Sequence, residues 1–159
     1  MSKPEISKSI QTGSFKTNYH DSGEGYPLIL VHGSGPGVSA WANWRLVMPE
    51  LAKKRRVLAL DYVGFGYTEK PAGVKYGMEV WVQQTVDFMD ALGIKQADFV
   101  GNSFGGALAL GMAVLYPDRV RKVVLMGSMG VKFPITDGLS KVWGYQPSFE
   151  NMRTLLNLF

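Results

Sequence analysis

Ser103 stands in the stretch Gly101-Asn102-Ser103-Phe104-Gly105-Gly106, between the strand-like run Ala97-Asp98-Phe99-Val100 and the apolar run Ala107-Leu108-Ala109-Leu110. A serine that only caps a helix needs no glycines around it. A serine used as a nucleophile does, because a strand-to-helix elbow holds it in a strained backbone conformation with room only for glycine two positions either side. Attack by such a serine on a carbonyl needs N–H donors aimed at the developing oxyanion. A second cluster, His32-Gly33-Ser34-Gly35-Pro36-Gly37, follows another buried-strand pattern and can present one donor beside the N–H of Phe104. Serine is weakly nucleophilic until a base takes its proton, and the base in turn needs an orienting carboxylate. The sequence has two histidines, His20 and His32, and none after Ser103.

A different chemistry competes for the second cluster. Glycines between a strand and a helix can cradle a dinucleotide pyrophosphate, and Asp61, ending the next strand, sits where a ribose-binding acid belongs. The pattern, however, requires glycine where Val38 stands, and Pro36 places a ring in the turn. It also leaves the glycines around Ser103 unexplained, whereas a serine hydrolase accounts for both clusters.

Composition narrows the partners. At 159 residues with 46% apolar content the chain can bury one core. The N-terminal MSKPEISKSI is polar and no window reaches a membrane span, so a soluble, cytoplasmic protein with no membrane partner is expected. The absence of cysteine excludes thiolate metal sites and two histidines make no cluster, so no metal is expected. The +4 net charge draws on Lys53-Lys54-Arg55-Arg56 and on Arg119, Arg121 and Lys122, which flank apolar runs. These read as solvated strand edges, with no nucleic-acid partner.

The elements that must position these residues alternate. Residues 5 to 20 read as a hairpin about Thr12-Gly13-Ser14, followed by a loop over Asp21-Ser22-Gly23-Glu24-Gly25. Pro27 to Val31, Val57 to Leu60, Phe99-Val100 and Val123 to Met126 are continuous apolar runs, the pattern of parallel strands covered on both faces. Helices are predicted over Trp41 to Leu51, from Trp81 to a stop at Gly93, and over Phe104 to Tyr116. The class is α/β, a mostly parallel sheet with an N-terminal antiparallel hairpin.

HGSGPGVSAWANWR, DYVGFGYTEKP, GNSFGGALAL and VLMGSMG together resemble the α/β-hydrolase family, and within it the meta-cleavage product hydrolases that cut carbon–carbon bonds in bacterial aromatic catabolism. The resemblance implies an α/β-hydrolase fold, interrupted in the lid: residues 1–128 as the N-terminal part of the core and 129–159 as the start of the lid. It implies Ser103 as nucleophile and the backbone N–H groups of Ser34 and Phe104 as the oxyanion hole. Asn43 and Asn102 match positions that hold the dienoate end of the substrate. Met129, where many relatives carry a small residue, borders the acyl-side pocket, with Leu139 and Trp143 in the next stretch. The substrate implied is a small molecule of the 2-hydroxy-6-oxohexa-2,4-dienoate type. No cofactor is needed, since the substrate's own dienol is the electron sink, and the full-length enzyme has room to form a homo-oligomer.

Each of these residues has an ordinary reading as well. Asn102 can be turn chemistry, Asn43 an exposed helix residue and Met129 a filler of core space. His32 ends a buried strand and reads as structural, His20 as a surface residue, and Trp41, Trp44 and Trp81 as packing. Neither Asp118 nor Asp137 falls where the family carries its acid. Residues 148 to 159 predict a helix capped by Ser148, with Phe149, Met152, Leu155, Leu156 and Phe159 on one face. Such a stripe needs a surface to cover, which suggests the N-terminal part of a longer hydrolase, with the triad acid and histidine elsewhere. A generic serine esterase and a non-catalytic fragment remain the alternatives.

Overall fold

The computed structural model describes residues 3–158. β1 (Lys8–Thr12) and β2 (Phe15–Ser22) form the expected antiparallel hairpin, with Gly13 taking the left-handed turn position (φ 53°). β3 (Pro27–Val31), β4 (Arg56–Leu60), β5 (Ala97–Asn102) and β6 (Val120–Met126) complete a six-stranded sheet of order β1-β2-β4-β3-β5-β6. The pairs β4–β3, β3–β5 and β5–β6 are parallel. Asp21 and Ser22, expected in a loop, continue β2 and pair with Leu58 and Val57.

Alternation along each strand sorts the core into two layers. Ile29, Val31, Leu58, Leu60 and Phe99 face α3 (Met78–Ala91) and α4 (Phe104–Leu115), meeting Phe88, Met89, Leu108 and Met112. Leu28, Leu30, Val57 and Ala59 face the other way, against Trp44 and Met48. Both faces of β3, β4 and β5 are covered, which is why these strands read as unbroken apolar runs; β6, expected to be covered in the same way, is instead largely exposed because it is an edge strand.

The predicted helix over Trp41 to Leu51 is two: α1 (Ala40–Trp44) and α2 (Met48–Ala52). Pro49 lies in the first turn of α2, where its missing N–H costs nothing; within a continuous helix its ring would strike the carbonyl of Arg45. α3 stops as expected. Gly93 is left-handed at φ 66°, and the N–H groups of Ile94 and Gly93 close back on Met89 and Asp90 in a Schellman motif. Beyond β6 come an unexpected helix, α5 (Asp137–Trp143), and the expected α6 (Phe149–Leu156), whose Ser148 cap accepts from the Asn151 N–H at 3.0 Å. Phe149 and Leu156 on α6 are exposed, and Phe159 lies outside the described residues.

Five of the basic residues read as solvated edges are ion-paired, Lys53 with Glu50 and Arg119 with Asp90 among them. Arg55 and Arg121 both close on the buried Asp98, and Arg56 on Asp21. His20, expected at the surface, is buried, because β2 is an interior strand with β1 and β4 on either side.

Candidate active site

The parallel strands β3 and β5 are neighbours, but their chain connections leave in opposite directions across the sheet. Their carboxyl ends therefore open a crevice where loops can meet. Ser103 sits there, between β5 and α4, with φ 53° and ψ −118°. Such a conformation costs a non-glycine residue about 1–3 kcal/mol. Three hydrogen bonds hold it: Ser103 N–H to the Met126 carbonyl (2.8 Å), and the Gly106 and Met129 N–H groups to the Ser103 carbonyl (2.9 and 3.0 Å). The glycines on either side are obligatory. A Cβ on Gly101 would run into the Gly105 and Gly106 backbone, and one on Gly105 into the carbonyls of Val31 and His32. The Ser103 side chain makes no cap hydrogen bond, in contrast to Ser39, Thr136 and Ser148, so its hydroxyl is free for chemistry.

Donors converge on this point. Phe104 opens α4, so its N–H has no acceptor within the helix and lies at the positive end of the helix dipole. The His32–Gly37 turn passes directly alongside, since a Cβ on Gly33 would sit 3.5 Å from the Ser103 Cβ. The Gly33 N–H is taken by the Asn43 side-chain oxygen at 3.0 Å. The next N–H along the turn is that of Ser34, an exposed residue. The same Asn43 oxygen accepts from the Asn102 side-chain amide at 3.1 Å, so the two asparagines singled out from sequence meet each other beside the nucleophile.

Neither histidine offers a base. His32 is fully buried: Nδ1–H donates to the Gly33 carbonyl (2.6 Å), Nε2 accepts from the Tyr62 N–H (3.1 Å), and burial pushes its pKa down. The structural reading of His32 holds. His20 lies against the Trp41 ring at 5.3 Å, its Nε2 has no partner among the described residues, and burial likewise lowers its pKa. Asp61, the acid of the dinucleotide alternative, is committed as well. Its carboxylate accepts from the N–H groups of Ala40 (2.6 Å) and Tyr67 (2.8 Å) and from the Asn18 amide (2.9 Å). It ties the start of α1 to the Gly64–Tyr67 turn and has no edge left for a ribose.

Met129 reaches the elbow through its backbone and is 38% exposed as a residue. Leu139 and Trp143 lie on α5, outside both core clusters. Sequence reading missed Phe65. It packs 6.2 Å from Phe104 and 5.4 Å from His32, and with Trp81, 4.8 Å edge-on to Phe104, it walls the crevice. The signal was present in Gly64-Phe65-Gly66, a bulky residue between two left-handed glycines. A cavity of about 460 Å³ lies against the glycine turn, lined by Gly35, Pro36, Val38, Phe65, Tyr67 and Lys70.

Residues 26–154 match the family model described as alpha/beta hydrolase fold. The chain belongs to the α/β-hydrolase family. It is 62% identical over 156 residues to a 2-hydroxymuconate semialdehyde hydrolase of Pseudomonas sp. strain CF600, covering 98% of this chain and 55% of that protein. It is 56% identical over 155 residues to a 2-hydroxy-6-oxo-2,4-heptadienoate hydrolase of Pseudomonas putida F1, covering 98% and 56%. In structure it is similar to the meta-cleavage product hydrolase CumD from Pseudomonas fluorescens IP01, solved as an S103A mutant complexed with acetates. The TM-score is 0.87 at 55% identity, covering 99% of this chain and 58% of that one. The chain thus spans a little over half the length of these relatives.

Proposed function

We propose that this α/β-hydrolase chain carries the nucleophile and oxyanion half of a carbon–carbon bond hydrolase acting on 2-hydroxy-6-oxohexa-2,4-dienoate-type ring-fission products, in the cytoplasm. The strained Ser103 elbow, with its hydroxyl uncommitted and the glycine turn against it, carries the reading. The similarity to relatives named for such substrates supports the substrate class.

In this reading the dienol first ketonises, its 2-hydroxyl proton lost and C5 protonated. An oxygen nucleophile organised by Ser103 then adds to the C6 carbonyl, and the N–H groups of Ser34 and Phe104 receive the oxyanion. The C5–C6 bond breaks, and its electron pair runs through the C3–C4 double bond onto the C2 oxygen. The products are 2-hydroxypenta-2,4-dienoate and a carboxylic acid, with one water consumed. Asn43 and Asn102 border the dienoate end, and Met129, Leu139 and Trp143 are assigned to the acyl side. The base that takes the serine proton is assigned to the part of the relatives' length that this chain does not span.

The test is a chimera in which this chain is completed with the C-terminal part of the strain CF600 relative, followed by loss of the yellow absorbance of 2-hydroxymuconate semialdehyde. Turnover is expected in the chimera, with a loss of at least about 10³-fold on Ser103→Ala and none in the chain alone. A folded chimera that cleaves p-nitrophenyl acetate but not the ring-fission product would overturn the reading in favour of an esterase. Turnover by the chain alone would overturn the assignment of the base.

A further inference from the structure

We propose that Asn43 is a positioning residue whose carboxamide oxygen locks the oxyanion turn to the nucleophile elbow and so aims the Ser34 N–H at the reacting carbonyl; this rests on the roles given above to Ser103 and Ser34. The β3–β5 ladder ends at the pair Val31 and Gly101. Beyond it the two connections that must cooperate, His32–Gly33–Ser34 and Asn102–Ser103, have no backbone hydrogen bond to one another among the described residues. The Asn43 oxygen supplies the missing rung, accepting from Gly33 N–H at 3.0 Å on one side and Asn102 Nδ2 at 3.1 Å on the other.

Asn43 is itself anchored. The Ala40 N–H is held by Asp61 at 2.6 Å and the Ala42 N–H by the Ser39 hydroxyl at 3.0 Å, so α1 cannot swing away with its asparagine. Gly33 is then gripped twice. Asn43 fixes the peptide plane before it through its N–H, and His32 fixes the plane after it through its carbonyl. That second plane contains the Ser34 N–H. Because a trans peptide places N–H and C=O on opposite sides, the pull of His32 on the carbonyl directs the Ser34 N–H the other way. With the plane before it free to turn, the His32 contact alone would leave the direction of that donor loose. An oxyanion donor acts by being fixed before the charge arrives, so the carboxamide contributes to catalysis without touching the substrate.

The two roles open to Asn43 separate on one substitution. Aspartate keeps an acceptor for both donors, while alanine keeps none. In the ¹⁵N-labelled 159-residue chain, Asn43→Ala is expected to speed exchange of the Gly33 amide about tenfold and to shift the Ser34 amide resonance. Asn43→Asp should leave Gly33 protected. In the completed chimera, Asn43→Ala should lower kcat about 100-fold with KM little changed, and Asn43→Asp should restore kcat to within a fewfold. An asparagine that donates to the substrate predicts the reverse: KM raised in both variants, most in the aspartate, and the Gly33 amide undisturbed by the loss of Asn43. That result would overturn the proposal. Should the alanine variant not fold, the aspartate variant decides alone. An inactive chimera with every side chain intact would instead count against the reaction assigned above and leave the amide measurements to judge Asn43.

Discussion

Ser103 holds the one positive φ among the described non-glycine residues, and its neighbours keep it there. Ser103→Gly should therefore raise the stability of the chain by about 1 kcal/mol, strain relief outweighing the added freedom of the unfolded glycine, while removing the nucleophile. A urea midpoint that falls instead would show the elbow to be unstrained. The histidines give a pH signature. Burial lowers both His20 and His32 below the ordinary imidazole value of 6.5, so the unfolded chain takes up protons first as pH falls. Their contribution to stability is complete above that value and is lost below it, down to the folded values. Arg121 and then Arg55, bonded to Asp98, hold its carboxyl at about 2 against an ordinary 3.8. That contribution persists above 3.8 and disappears as pH falls towards 2. Urea unfolding is expected to weaken in two steps, one below 6.5 and one below 3.8; a flat profile between pH 8 and 5 would contradict the buried histidines.

At the scale of elements, local chemistry sets where helices stop, and contacts set what they are for. Gly93 closes α3 in the left-handed region, and a Cβ added there would meet nothing within 4 Å. Gly93→Ala should thus cost about 1 kcal/mol through backbone strain alone, read as a lowered urea midpoint with an unchanged m-value. The glycine stop was therefore legible in the sequence, and the break between α1 and α2 was not. Gly93 acts on its own residue. Pro49 has two local outcomes, a kink or a restart, and the packing of Trp44 and Met48 on one sheet face selects the restart.

Across the whole molecule, β6 is the edge of the sheet. Val124, Leu125 and Met126 are 55%, 41% and 47% exposed, a run of apolar residues beside unpaired backbone groups. Such an edge pairs with other chains unless a charge interrupts it. The chain is expected to self-associate in a concentration series by sedimentation, and Val124→Lys to return it towards monomer without lowering its unfolding midpoint. A monomer at every concentration for the unmodified chain would contradict this.

What the sequence determined by itself acts over a few residues: the elbow glycines around Ser103, the glycine turn after β3, the Ser148 cap, the apolar runs of the covered strands. Each is a steric or hydrogen-bonding rule with a range of one turn or one strand. The tertiary structure alone decided which distant groups meet. That Asn43 and Asn102, 59 positions apart, share one hydrogen bond follows from β3 lying beside β5. That Asp61 is a clamp and His20 a core residue follows from β2 lying beside β4. Strand order is a global minimum over many pairings, so no short window of the sequence contains it.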